Sequence, residues 1–176
     1  MREDLDAVEA KLDLEITSEV KRVYALAGHV LSAGGKRLRP GKIAACEAVP
    51  AATQQFLADV PGAAGAKSNV ELAERGGVLF LAVKPQSIPG VMGELAGKIA
   101  KETLVVSIAA GVTLAKLTAG LKTDRVSRVM PNTPALVGTG ASAVSIGPGA
   151  AAEDSNRMSE LTVADGIAGT VDEKLL

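Results

Sequence analysis

At 176 residues and 47% hydrophobic content, the chain is long enough for one domain with a core plus a short N-terminal appendage, and too apolar to be disordered. Aromatic residues make up only 2%, which removes the stacking platforms of single-stranded nucleic-acid binders and leaves Val, Leu, Ile and Ala to build the core. A net charge of −1 supplies no long-range attraction to nucleic acid or to a membrane, and neither is expected as a partner.

Cys46 and His29 are each alone in their type. An internal disulfide, a cysteine metal site and a multi-histidine zinc site are therefore excluded, and little remains for a Ser-His-Asp triad. The opening MREDLDAVEA is too charged for a signal peptide, and no apolar run approaches the roughly eighteen residues of a membrane span. A reducing, cytoplasmic setting is the expectation.

In chain order, the apolar residues Leu5, Val8, Leu12, Ile16, Val20, Val23, Ala27 and Val30 step by three and four, which predicts one helical stripe over residues 5–31. Gly34 and Gly35 end it, and the Arg39–Pro40 step disfavours helix again. The following run KIAACEAV reads as a further short helix. Beyond Pro50 the texture changes. VLFLAV (78–83), LVVSIAA (104–110) and VSRVM (126–130) are short runs rich in β-branched residues. The first two are almost wholly apolar, as in strands covered on both faces.

Between these strands Ser87 is placed to cap a helix over IPGVMGELAGKIAK, with Pro89 in the tolerated first turn and Val91, Leu95 and Ile99 on one face. Thr113 is placed to cap LAKLTAGL, with Leu114, Leu117 and Leu121 inward. ASAVSIG, a helix near 153–161 and a last strand near 169–172 complete the chain. Strand and helix alternating at this spacing predict an α/β fold with a parallel sheet and flanking helices, preceded by an N-terminal helical segment.

In such a sheet, ligands sit outside the carboxyl ends of the strands. Here those ends read AVKPQ (82–86), IAAGVT (108–113) and MPNTPALVG (130–138), tight turns where a backbone can approach a ligand closely. Lys84 adds a cation, Asn132 and Thr133 add neutral hydrogen-bonding groups, and no acidic pair or metal cluster stands there. That set suits a bound nucleotide and hydride transfer better than hydrolysis, because the cofactor carries the reactive atom. Ordinary loop punctuation is the structural alternative.

The blocks LFLAVKPQ, SIAAGVTL, RVMPNTPALVGTGASAV and VDEKLL, in this order and spacing, closely resemble pyrroline-5-carboxylate reductases over residues 53–176. The resemblance implies a Rossmann-type NAD(P)H domain, partial here and mostly parallel, that reduces 1-pyrroline-5-carboxylate to L-proline in proline biosynthesis. It places Asn69 at the adenosine side of NADPH or NADH, and Ala82, Val83, Lys84 and Pro85 beside the ribose and diphosphate. Ala109, Ala110 and Gly111 would lie near the nicotinamide, with Asn132, Thr133 and Pro134 between nicotinamide and substrate. No catalytic residue is assigned.

That family opens with a strand and a glycine-rich turn, and continues past DEKLL into a helical, dimerising domain. No G-x-G turn stands in the first 52 residues, and the sequence stops at Leu176. Impaired activity of this chain alone is therefore expected. Loss of the first strand also predicts that the flank of VLFLAV is covered by the N-terminal helices or else drives homo-oligomer formation.

HVLSAGGKRLRP after an amphipathic helix resembles the trans-polyprenyl diphosphate synthases over residues 5–49. The G-G-K-x-x-R element of that family holds a diphosphate, and Lys36 and Arg39 match it, which implies a weak diphosphate site. Those enzymes also need aspartate-rich motifs for magnesium, and this chain has no Asp-Asp pair, so prenyl transfer is not expected. Two units follow, a helical segment at 1–49 and an NAD(P)-binding domain at 53–176. The alternatives to a reductase are a noncatalytic fusion or truncated chain, or a weak diphosphate-binding remnant.

Overall fold

The computed structural model describes residues 43–60, 62–132, 139–162 and 166–176. The stripe over 5–31 and the Lys36–Arg39 element lie outside them. In chain order the elements are β1 (Ala44–Ala45), α1 (Pro50–Asp59), β2 (Ala64–Gly65), α2 (Asn69–Glu74), β3 (Val78–Leu81), α3 (Ile88–Leu95) and β4 (Leu104–Ser107). They continue with α4 (Leu114–Leu121), β5 (Val126–Met130), β6 (Gly140–Ile146), α5 (Ala152–Thr162) and β7 (Gly166–Thr170).

β1 and β2 pair in parallel as a two-stranded sheet, and the other strands form a five-stranded sheet in the order β3-β4-β5-β6-β7. β3, β4 and β5 are parallel, β6 is antiparallel to β5, and β7 is parallel to β6. The expected α/β architecture, mostly parallel and flanked by helices, is present. Among the described residues no strand stands beyond β3, and no helix is long and apolar enough to cross a membrane.

Alternation along the strands builds two cores. Leu79, Leu81, Val105 and Val126 pack with Ile88 and Leu95 of α3 and Leu114, Leu117 and Leu121 of α4. The residues between them, Leu104, Val106 and Val129, pack with Val144, Met158 and Leu161 on the other side. Covering both faces is why β4 reads as an unbroken apolar run.

Thr113 caps α4 as expected, its side chain accepting the Lys116 amide. Other expectations need correction. KIAACEAV is not a helix: Ala44 and Ala45 form β1, and α1 begins at Pro50, whose ring holds the preceding Val49 extended at φ −107° and ψ 117°. Ser87 does not cap α3 with its side chain, because its backbone is already helical. A 3-10 turn at Pro85–Ser87 feeds that helix instead. α3 ends at Leu95, and Gly97 at φ +72° turns the chain, so Ile99 joins the core from beyond the helix. The last strand lies earlier than expected, at Gly166–Thr170.

The foot of β5 is pinned to α5. Arg125 donates to Asp154 twice, Nε to Oδ2 at 2.8 Å and a terminal nitrogen to Oδ1 at 2.7 Å. Asp154 has a fully buried side chain and also accepts the Ala151 amide at 2.9 Å. The hydrogen bond from Arg125 holds the Asp154 carboxyl below its ordinary value, against the opposing effect of burial. Its contribution to stability is therefore complete above the unfolded-state pKa of about 3.9 and is lost as pH falls through the lower folded value. Asp154→Asn should cost about 2–3 kcal/mol at neutral pH, less than a fully orphaned buried charge because Arg125 keeps its bond to the Glu102 carbonyl. Urea denaturation of both proteins from pH 7 to pH 2 should show the gap closing at the acid end.

Candidate functional site

β3, β4 and β5 are adjacent and parallel, so the turns that follow them open at one end of the sheet. The turns after β3 and β4 are joined where the Ile108 amide donates to the Leu81 carbonyl at 3.3 Å. Ala109 is buried and its amide donates to the Ser107 hydroxyl at 3.3 Å, which leaves Ala110 and Gly111 exposed at the crest. Gly111 adopts φ +71°, and a Cβ there would meet nothing within 4 Å. The backbone at this crest is open to an approaching ring.

Ala82 and Val83 are half-buried, while Lys84 and Pro85 are exposed. Among the described residues no carboxylate neutralises Lys84. Asn132 is exposed, and its Oδ1 accepts the Ala141 amide at 2.9 Å, which leaves its NH2 as a donor with no partner among the described residues. The structure therefore brings residues 82–85, 109–111 and Asn132 to one end of the sheet. Thr133, Pro134, Lys36 and Arg39 lie outside the described residues.

Asn69 opens α2, whose N-cap Ser68 accepts the Glu71 amide. Its Nδ2 donates to Glu94 Oε2 of α3 at 2.8 Å. Just past β1, burial raises the Cys46 thiol pKa, and Glu47, Glu94 and Glu71 raise it further. That thiol stays protonated at neutral pH and is no nucleophile. Three carboxylates thus act on one point at the end of β1. Among the described residues no group of three His, Cys, Asp or Glu could hold a metal ion.

Two stretches with G-x-G-x-x-A spacing escaped the sequence reading: GTGASA (138–143), whose first residue lies outside the described ones, and a second one further on. GPGAAA (147–152) stands between β6 and α5. It does not form a phosphate cradle. A Cβ on Gly147 would meet the Val126 carbonyl oxygen at 2.5 Å, and one on Gly149 would collide with the Asp124 side chain, so the glycines make room for the chain's own atoms. The start of α5 is already filled by Asp154 and Arg125. A shallow cleft lined by Gly97, Ile99, Lys101, Thr118, Lys122 and Asp124 opens at that same lower end of the sheet, away from the strand ends. Arg128, mid-strand in VSRVM, was a signal passed over: a cation inside a buried strand needs a partner.

Residues 22–111 match the protein-family model described as NADP oxidoreductase, coenzyme F420-dependent. The chain belongs to this oxidoreductase family. The match reaches back to residue 22, into the segment expected to resemble prenyl synthases, and the comparisons do not show that resemblance. Among curated relatives, pyrroline-5-carboxylate reductase of Glycine max is 40% identical over 107 residues, spanning 61% of this chain and 39% of that protein. The reductase of Methanosarcina acetivorans is 39% identical over 127 residues, spanning 70% of this chain and 47% of its own length. The oxidoreductase chain therefore spans less than half of these relatives. Among solved structures, the pyrroline-5-carboxylate reductase of Coxiella burnetii aligns over 86% of this chain and 56% of that chain, with TM-score 0.76 and 25% identity. The Plasmodium falciparum enzyme, solved with NADP bound, aligns over 85% and 53%, with TM-score 0.71 and 23% identity, a likeness of fold.

Gly111→Ala should destabilise by about 1–2 kcal/mol through backbone conformation alone, since nothing crowds its Cβ. Gly147→Ala should cost more, because its Cβ meets backbone that cannot move cheaply. Chemical denaturation of the two variants in parallel checks the order.

Proposed function

We propose that this chain binds a reduced nicotinamide dinucleotide across the carboxyl ends of β3, β4 and β5, as part of a pyrroline-5-carboxylate reductase-like oxidoreductase. The observation that carries the reading is the convergence of an unpaired cation, Lys84, with an open glycine crest at Gly111 and an uncommitted amide on Asn132 at one sheet end. These residues fit the group. Lys84 offers charge to a diphosphate, residues 109–111 offer a small backbone surface to the nicotinamide ring, and Asn132 offers a donor between ring and substrate.

The cofactor, when bound, supplies the hydride. The substrate is the cyclic imine pyrroline-5-carboxylate, and the product is proline. The chain's own part would be to bind and orient: the small residues 109–111 would offer backbone to the nicotinamide, and Asn132 would offer a neutral hydrogen-bonding group beside it. Affinity and turnover should both be low in this chain alone. The first 52 residues carry no G-x-G spacing, and loss of two charge-assisted contacts at the diphosphate would remove about 1.5–3 kcal/mol each. Such a loss moves a micromolar site toward millimolar.

Cofactor choice follows from electrostatics. On this reading the adenosine side lies near Asn69, where Glu94 accepts from Asn69 and Glu47 stands close by, while Glu71 is already paired with Arg75. An extra 2′-phosphate would be repelled there, whereas a free ribose hydroxyl would find acceptors. Calorimetric titration should give NADH a dissociation constant no larger than that of NADPH, and Lys84→Ala should weaken both by about tenfold. Turnover, followed by loss of reduced-nicotinamide absorbance with pyrroline-5-carboxylate, should fall below about a tenth of that of a full-length relative. No heat of binding for either cofactor, or equal affinity in Lys84→Ala, would reject this site.

A further inference from the structure

We propose that Glu173 is a positioning residue: its carboxylate ties the start of α4 to β5 and so holds the turn at 109–111 and the turn at Asn132 in one fixed relation. The functional meaning rests on the cofactor reading above, while the geometry stands apart from it.

Arg128 is the anomaly that leads there. It sits in the middle of β5, is only 4% exposed, and shares the strand face of Val126, which packs against Leu114, Leu117 and Leu121. A guanidinium in that position is desolvated and needs a counter-charge. Its neighbours across the sheet supply none, being Ser107 of β4 and Ser145 of β6. The counter-charge arrives from 45 residues away, where Arg128 donates to Glu173 Oε1 at 2.8 Å.

The same oxygen accepts the amide of Leu114. Leu114 opens α4, and its N–H has no acceptor within the helix. One carboxylate oxygen thus serves a buried cation and a helix N-terminus, both of which favour negative charge. Glu173 is held in place for this. Val171 donates to the Val144 carbonyl at 2.8 Å, and Asp172 caps the 3-10 turn Glu173–Leu175 by accepting the Lys174 amide at 3.0 Å.

The two groups it fixes lead straight into the proposed site. Leu114 lies three residues after Gly111, and Arg128 four residues before Asn132. The C-terminal strap therefore couples the nicotinamide side of the site to its substrate side, although it touches neither ligand. A carboxylate that only anchored the strap would need one of these partners, not both.

Two substitutions separate the roles. Glu173→Gln keeps an oxygen for the Leu114 amide but removes the charge that Arg128 requires. Arg128→Met removes the cation and leaves Glu173, whose side chain is 30% exposed, to be hydrated. In the full chain, Glu173→Gln should speed amide hydrogen exchange about tenfold at 109–114 and at 129–132 together, and weaken NADH binding about tenfold. The double variant should recover part of that loss, because no unpaired charge remains. Asp154→Asn, which breaks the ion pair at the opposite sheet end, serves as the destabilised control and should leave NADH affinity within about twofold. Exchange that rises in only one turn or in neither, or an affinity loss no larger than that of Asp154→Asn, would overturn the proposal. A wild-type chain that binds no NADH defeats the cofactor reading by itself, and the exchange data then still decide whether Glu173 holds the two turns.

Discussion

Strand β4 is dry on both faces, with Leu104, Val105 and Val106 each fully buried, and the surrounding architecture follows from keeping it so. A parallel strand cannot be joined to its neighbour by a tight turn, so each crossover must be a helix that also covers a sheet face. α3 and α4 fill that role on one side, and α5 reaches the other after the chain reverses through β6. Polar chemistry is thereby pushed to the ends of the strands. The upper ends carry the candidate site, where Ala110, Gly111, Lys84 and Asn132 are exposed.

Two arginines on β5 and just before it show how the same constraint sorts charge. Arg125 and Arg128 both meet carboxylates brought from distant elements, Asp154 and Glu173. Neither pair is an exposed ornament, since one partner in each has a side chain at most 5% exposed. Exposed pairs such as Arg75 with Glu71 contribute little to stability by comparison. The buried pairs instead fix where helices begin, α5 through the Ala151 amide and α4 through the Leu114 amide. Helix starts and sheet ends are thus set together.

Much of this was legible in the sequence, and what was missed has physical causes. The two apolar runs at 78–83 and 104–110 declared parallel strands because burial on both faces leaves that texture, and Thr113 declared the start of α4 because a hydroxyl next to a leucine stripe has one favourable use there. KIAACEAV misled because a two-residue strand carries too few residues to show a period of two, so its alanines looked helical. Ser87 misled because a cap needs an extended backbone, and the preceding Pro85 had already begun a 3-10 turn. For the site, the turns at 82–85, 109–111 and 132 were found by the rule that ligands meet the carboxyl ends of strands. Glu173 was not, since a contact spanning 59 residues to Leu114 leaves no local pattern.

Two of the glycine turns, at Gly111 and at Gly147, show why spacing alone does not identify a nucleotide site. Both lie between a strand and a helix, and only the second has the G-x-G spacing. Around Gly147 the missing side chain makes room for the carbonyl of Val126, and the helix start beyond it is satisfied by Asp154. The glycine is used internally and nothing remains for a ligand. Around Gly111 the missing side chain makes room for no protein atom within 4 Å, while its left-handed backbone holds the crest in place. What separates a binding turn from a packing turn is therefore where the freed volume opens. By that measure the upper ends of β3, β4 and β5, and not the turn at Gly147, suit the proposed cofactor site.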